Sequence, residues 1–153
     1  IDAATILEQL AKEQGLAFEK NAVSVMLRDV AVTGSLPEMA VKVASMANVN
    51  MYVDRGTMAI WPADGVRANY YYKINANNGL VGYPTYDGSG IGTKVLYNSD
   101  LVVGGVIDVD SEVVGAKGKF YIMSINHQLD SNLPGGAWFS QIRANSQPYS
   151  AAQ

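Results

Sequence analysis

Only a few residues in this chain have types and spacings that suggest chemistry, and each has a plain alternative. His127 is the single histidine. It lies in the run Tyr121–Asp130, where strand alternation places it with Met123, Ile125 and Leu129. A lone histidine on an apolar face reads as structural. Asp108, Asp110 and Glu112 alternate along a short β-type run. Paired carboxylates serve glycoside hydrolysis or calcium binding, but both uses need a cleft or a loop of several oxygen ligands. Here the acids run into a turn, which reads as a solvated strand end. Gly88–Gly92 looks like a phosphate loop, yet Thr93–Tyr97 after it is strand-like, and a phosphate cradle needs a helix N-terminus there. Asp130-Ser131-Asn132 lacks the other positions of a calcium loop and reads as a turn. No strand-Gly-x-Ser-x-Gly-helix context exists. The chain has no cysteine, which removes thiolate nucleophiles, disulfides, zinc–thiolate sites and iron–sulfur clusters. The residues therefore predict no enzyme, with no catalytic, cofactor-binding or metal-binding positions.

The elements that would carry these residues fall into two halves. Asp2 can cap a helix from Ala3 to Gln14 with an apolar stripe of Ile6, Leu7, Leu10 and Ala11, stopped at Gly15. Strands are expected at Leu16–Glu19 and Val23–Leu27, with Lys20-Asn21-Ala22 as their turn. Ser35-Leu36-Pro37-Glu38 is a capping box with an early proline, and Met39, Ala40, Val43, Met46 and Ala47 give that helix its buried face. Met51–Asp54 and Thr57–Trp61 read as a hairpin across Arg55-Gly56. Two helix–hairpin units thus match at an offset of about 33 residues, too few repeats for a solenoid. Pro62–Arg67 reads as a junction. Beyond it the helix signal ends, and Asn78–Glu112 is dense in glycine, with short β-type runs at Thr93–Tyr97 and Val106–Val109. Further strands are expected at Asn69–Ala76, Gly118–Leu129 and Ala137–Ala144, with turns at the glycine, asparagine and proline clusters between them. The predicted architecture is α+β: a helix–hairpin α+β domain over residues 1–64, an antiparallel β-barrel over 65–146, and a flexible tail over 147–153.

Composition bears on partners. Of 153 residues, 48% are hydrophobic and 16% charged, with nine tyrosines and six methionines. Charge well below the usual quarter, beside many tyrosines and methionines, suits a surface meant for another protein. The net charge is −3, the pI is about 5.0, and Lys and Arg are scattered. That argues against direct or sequence-specific nucleic-acid binding, which calls for a basic patch. No apolar run approaches the ~18 residues of a spanning helix, so membrane insertion is not expected. No secretory signal is visible, and the chain starts at Ile1, as a processed chain or a piece of a longer one would. By type and placement, the expected contact residues are Tyr70, Tyr71, Tyr72, Tyr83, Tyr86, Tyr97 and Trp138.

Two segments carry a resemblance. Ala47–Arg67 has a helix end, a strand, an Asp-turn-Gly-Thr hairpin and a strand closing on Trp61-Pro62. Asn78–Asp110 opens with Gly79-Leu80-Val81-Gly82-Tyr83-Pro84 and continues through Asn98, Leu101 and Gly104-Gly105. With the closing runs Tyr121–Asp130 and Gly136–Phe139, these resemble the baseplate hub, or tail-tip hub, proteins of tailed bacteriophages over nearly the whole chain. The resemblance implies a virion structural protein, assembled in the host cytoplasm. It would self-associate as a trimeric ring joining the tail tube to the spike. Such hubs often carry two barrels, so one clear barrel here implies the C-terminal portion of a longer hub. The resemblance carries over no catalytic residue and no cofactor. The residues alone leave other readings open: a carbohydrate- or peptide-binding β module using aromatics as a platform, and more remotely a glycosidase using Asp108, Asp110 or Glu112.

Overall fold

A computed structural model describes residues 1–67 and 70–148. The chain divides into two compact units, with residues 1–67 in the first and 70–148 in the second. Most of the tail expected over 147–153 lies outside the described residues, as does Asn69 at the head of an expected strand.

In the first unit, helix α1 (Ala3–Glu13) buries Ala3, Leu7, Leu10 and Ala11, and Asp2 caps it by accepting from the Ala4 N–H at 3.4 Å. Helix α2 (Leu36–Met46) starts with the expected capping box: the Glu38 carboxylate accepts from the Ser35 N–H at 2.9 Å. Strands β1 (Ala17–Lys20), β2 (Val49–Asp54) and β3 (Thr57–Pro62) form a sheet in the order β1-β3-β2. The β2–β3 hairpin turns on Arg55 and Gly56, both at positive φ, which is the two-residue turn that matches strand twist. Met58 and Ile60 of β3 join the helices in one core, with Val43 and Ala40 of α2 and the buried face of α1.

The first expected hairpin does not form. The strand β1 is real, but it pairs parallel with β3. Asn21 is then tied to Ile60 through both its N–H and its side-chain amide, and Ala22 takes positive φ. Residues 23–27 turn away and spend their backbone on the N-terminus: Ala3 N–H donates to the Val25 carbonyl and Leu27 N–H to that of Ile1. The matched helix–hairpin units seen in the sequence are therefore not matched in structure.

The second unit is one six-stranded sheet of β4 (Tyr71–Asn75), β5 (Leu80–Tyr86), β6 (Gly90–Leu96), β7 (Val106–Asp110), β8 (Gly118–Leu129) and β9 (Trp138–Asn145). The spatial order is β4-β7-β8-β9-β6-β5. One face packs Ile74, Ile91, Ile107, Phe120, Ile122 and Ile142 into a core that also takes Leu101 and Ala116 from loops. Two expectations are corrected here. The sheet is mixed, because β4 and β7 run parallel. It is also an open half-barrel, since no pairing joins β4 to β5 among the described residues. The cause is local: after the turn at Ala76–Gly79, the Gly79 carbonyl accepts from Leu96 N–H, which sends the chain onto β6 rather than back along β4. Strand β5 went unseen in the sequence because it contains Gly82 and Pro84, and its register slips between Val81 and Thr85. Gly90 and Gly92, expected in a loop, lie in β6.

Candidate interaction surface

The residues that looked chemical are held by their neighbours in the second unit. Asp87 is the clearest case. Its Oδ1 accepts from the N–H groups of Ser89 and Gly90 at 3.1 and 3.0 Å and from the Ser89 hydroxyl at 2.9 Å. Its Oδ2 accepts from Arg143 at 2.5 Å. The Ser89 hydroxyl and amide, with Gly90 and Arg143 behind them, hold its carboxyl down to about 2. The amides that a phosphate would need in Gly88–Gly92 are thus occupied by the chain's own carboxylate.

The acidic trio spreads out along β7 and into the loop that follows it. Asp108 accepts from the Tyr71 hydroxyl at 2.7 Å, and Asp110 pairs with Lys117 at 3.1 Å, both exposed contacts. Glu112 lies beyond the end of β7, exposed in the following loop. The three do not converge on a common point, and among the described residues no group of three His, Asp or Glu side chains could hold a metal ion. His127 sits 2.8 Å from the buried Ser140 hydroxyl through Nδ1. It shares the core-facing side with Ile125 and Leu129 through their partners Ser140, Ile142 and Trp138. Met123 leaves that series, because the register shifts between Ile122 and Ser124. No helix of the described residues is long and apolar enough to cross a membrane.

The seven aromatic residues singled out from the sequence divide into three groups. Tyr72 turns to the core side of β4 and its hydroxyl donates to the Asp100 carbonyl, while the Tyr70 carbonyl receives the Val106 N–H at 2.8 Å. Both are half-buried. Tyr71 and Tyr86 are exposed but engaged. Tyr71 donates to Asp108, which raises its pKa, and Lys119 lies 5.7 Å from its ring. The Tyr86 ring covers Gly115 so closely that a Cβ there would come within 2.7 Å of it. Tyr83, Tyr97 and Trp138 remain. Tyr83 is 76% exposed on β5. Tyr97 and Trp138 meet edge to face at 6.1 Å, with His127 at 5.1 Å from Tyr97.

That aromatic corner has apolar company the sequence reading missed. Leu129, the pairing partner of Trp138, is exposed, and Leu133, 69% exposed, stands on the loop joining β8 and β9, whereas the exposed Leu96 pairs with Phe139 and so lies on the opposite face of the sheet. The available signal was the near absence of charge from Phe120 to Leu129 and again from Ser131 to Gln141. An edge-to-face aromatic cluster beside exposed leucines is the kind of surface that contributes most to binding when a partner dries it. A cleft of about 570 Å³ opens along β4 and the ends of β5 and β6, lined by Tyr71, Tyr72, Asn77, Asn78, Tyr97 and Asn98 among others. It lies at the unpaired seam of the half-barrel.

A family model described as "Baseplate hub gp41" matches residues 2–133. No curated protein matches the chain. Among solved structures, the 43 kDa tail protein of prophage MuSo2 from Shewanella oneidensis is similar with a TM-score of 0.62 at 11% identity, over 94% of this chain and 62% of that one. The tail protein from Neisseria meningitidis MC58 is similar with a TM-score of 0.64 at 9% identity, over 95% of this chain and 67% of that one. The chain therefore spans about two thirds of the length of either structure. At such identities the likeness is one of fold.

Proposed function

The chain belongs to the baseplate hub gp41 family of phage tail proteins, and from that premise we propose that it works by assembly, as a piece of a ring that joins the tail tube to the spike. In this reading three copies associate around the tail axis, and the partners are tube and spike proteins. The protein is assembled in the host cytoplasm and acts in the virion, with no catalytic step. The observation that carries it is the exposed aromatic corner of Tyr97 and Trp138 with Leu129 and, on the following loop, Leu133, together with Tyr83 on β5. Tyr97, Trp138, Leu129 and Leu133 include no charged residue, which fits a surface that loses its water on assembly. A ring needs two different patches per copy, one meeting the other in the next copy. Tyr83 and the aromatic corner, carried on different strands, offer two. The open seam supports the same reading, since β4 and β5 leave unpaired edges on which further strands can add.

The test is solution mass by light scattering over a wide concentration range, followed by co-assembly with purified tube protein. A trimer, or a monomer–trimer equilibrium that tube protein shifts toward trimer, is the expected result. A monomer at every concentration that also ignores tube protein would overturn the ring.

A further inference from the structure

The sheet of the second unit has a third open edge, inside its own order. Strand β8 is 12 residues long, and on its outer side β7 pairs only with Gly118–Tyr121. Two more bonds reach Ile122 from Gly104 and Gly105. Beyond that point β8 pairs with β9 alone. Asp130 N–H donates to the Ala137 carbonyl on the β9 side, and alternation along the strand then turns the N–H and C=O of Ile125, His127 and Leu129 to the outer side. Those groups have no partner among the described residues. The edge is open to solvent, since Ser124 and Asn126–Leu129 are all exposed.

Open edges are ordinarily guarded by lysine, proline, bulges or short length. In this sheet β4 carries Lys73, and β5 carries Pro84 and a register slip. The outer edge of β8 has none of these past the shift at Ile122–Ser124, and no Lys, Arg, Asp or Glu lies between Lys119 and Asp130. Two of three edges are protected, and the third presents a regular run of backbone donors and acceptors.

We propose that the outer edge of β8, from Ser124 to Leu129, is a strand-addition site for an extended segment of a different polypeptide. The added strand lies in line with β7. Its side chains alternate, apolar ones beside His127 and Leu129 on the core-facing side and uncharged polar ones beside Ser124, Asn126 and Gln128 on the other. A second copy is a poor occupant. Its β4 and β5 edges are the guarded ones, and pairing of β8 with the β8 of a second copy is an outcome that the experiment below detects. The proposal draws on the family only for the setting, a tail with other proteins present. It needs neither a trimer nor any particular ring, so light scattering and the experiment below fail independently.

The experiment uses the full chain and overlapping synthetic peptides covering the other proteins of the same virion. Binding is read by fluorescence anisotropy, and the site by amide hydrogen exchange. Two single-site variants accompany the wild type. Leu129→Pro removes an outward N–H without touching the β9 ladder, and Asn126→Lys adds a guard. The expected result is a bound peptide with apolar and uncharged polar residues alternating. Exchange then slows at Ile125, His127 and Leu129, and affinity falls by about tenfold or more in either variant at unchanged melting temperature. If Leu129→Pro does not fold, Asn126→Lys alone decides. The proposal is overturned if no peptide binds or if bound peptides protect other amides. It also fails if the three amides are already protected in the free protein by β8 pairing with itself.

Discussion

Arg67 lies across Glu19, 48 residues away in sequence, as a two-pronged pair: Nε to Oε1 at 3.1 Å and Nη2 to Oε2 at 2.7 Å. The Arg67 side chain is 5% exposed and that of Glu19 25%. Asn21 adds a third donor to the same carboxylate at 2.8 Å. The guanidinium also stands 5.9 Å from the ring of Trp61, which is fully buried. The pair thus ties β1 to the end of the first unit.

The Arg67 hydrogen bond, helped by Asn21 and opposed by partial burial, holds the Glu19 carboxyl below its ordinary 4.5. A carboxylate lowered on folding contributes its stability above the unfolded value and loses it as pH falls through the folded one. Glu19→Gln should therefore cost about 1.5–3 kcal/mol at neutral pH, the range for a hydrogen bond to a charged group. Urea titrations of wild type and variant from pH 7 downward should converge below pH 4.5. A gap that stays constant across that range would mean the ion pair contributes nothing through its charge.

Asp87 predicts a second, lower window. With its carboxyl held near 2 against an ordinary 3.8, its contribution is complete above 3.8 and drains away toward 2. Asp87→Asn keeps an acceptor for Ser89 and Gly90 but loses the charge that meets Arg143. The variant should melt below wild type at pH 7, with faster exchange at the Ser89 and Gly90 amides, and match it near pH 2. Equal melting temperatures at pH 7 would show that the exposed carboxylate is a passive surface group.

Close approach at β6 makes one glycine irreplaceable and its near neighbour tolerant. A Cβ on Gly90 would fall 2.2 Å from the Ala144 carbonyl oxygen and 2.8 Å from the Asn145 Cα, both backbone of the paired strand β9. A Cβ on Gly92 meets only the Thr85 hydroxyl, at 2.9 Å, which can rotate aside. Gly90→Ala should cost at least about 1–3 kcal/mol, as forced overpacking does, and Gly92→Ala well under that. Chemical denaturation of the two variants side by side checks it, and equal losses would refute the asymmetry.

What could be read from the sequence was local, and what could not was set at long range. The capping box at Ser35 and Glu38 and the turn at Arg55-Gly56 satisfy themselves within a few residues, so they stand in the structure as expected. Val23–Leu27 has the composition of a strand, but its backbone partners are Ile1 and Ala3, which no local pattern announces. Strand β5 hides behind Gly82 and Pro84, tolerable only because it is an edge. The bulge at Ile122–Ser124 shifts side-chain parity, so alternation counted through Met123 misplaces that residue. For the candidate surface, residue type nominated seven aromatics. Type alone could not tell Tyr72, packed against the core, from Tyr83, which touches little.

That division gives the sharpest test of the assembly reading, because stability and association should respond to different tyrosines. Tyr72 packs against Ile74, Ile107 and their neighbours, so Tyr72→Ala removes core contacts and lowers the melting temperature; large-to-small changes at such sites cost a few kcal/mol at most when partly exposed. Tyr83 and Trp138 project into solvent, and Trp138 is 49% exposed even with its indole N–H bonded to the Asp130 carbonyl at 3.1 Å. Tyr83→Ala and Trp138→Ala should leave the melting temperature of the isolated chain nearly unchanged. If these residues are the two complementary patches of a ring, each substitution alone should weaken self-association or capture by tube protein by about tenfold or more, the usual weight of a buried aromatic anchor. Mixing the two variants is the discriminating step. In a head-to-tail contact, each variant retains one intact patch, so a Tyr83→Ala chain and a Trp138→Ala chain can still form one wild-type joint between them but cannot close a ring. Sedimentation velocity should then show dimers and no trimers. Full trimers in the mixture, or no association change in either variant, would remove these aromatics from the interface.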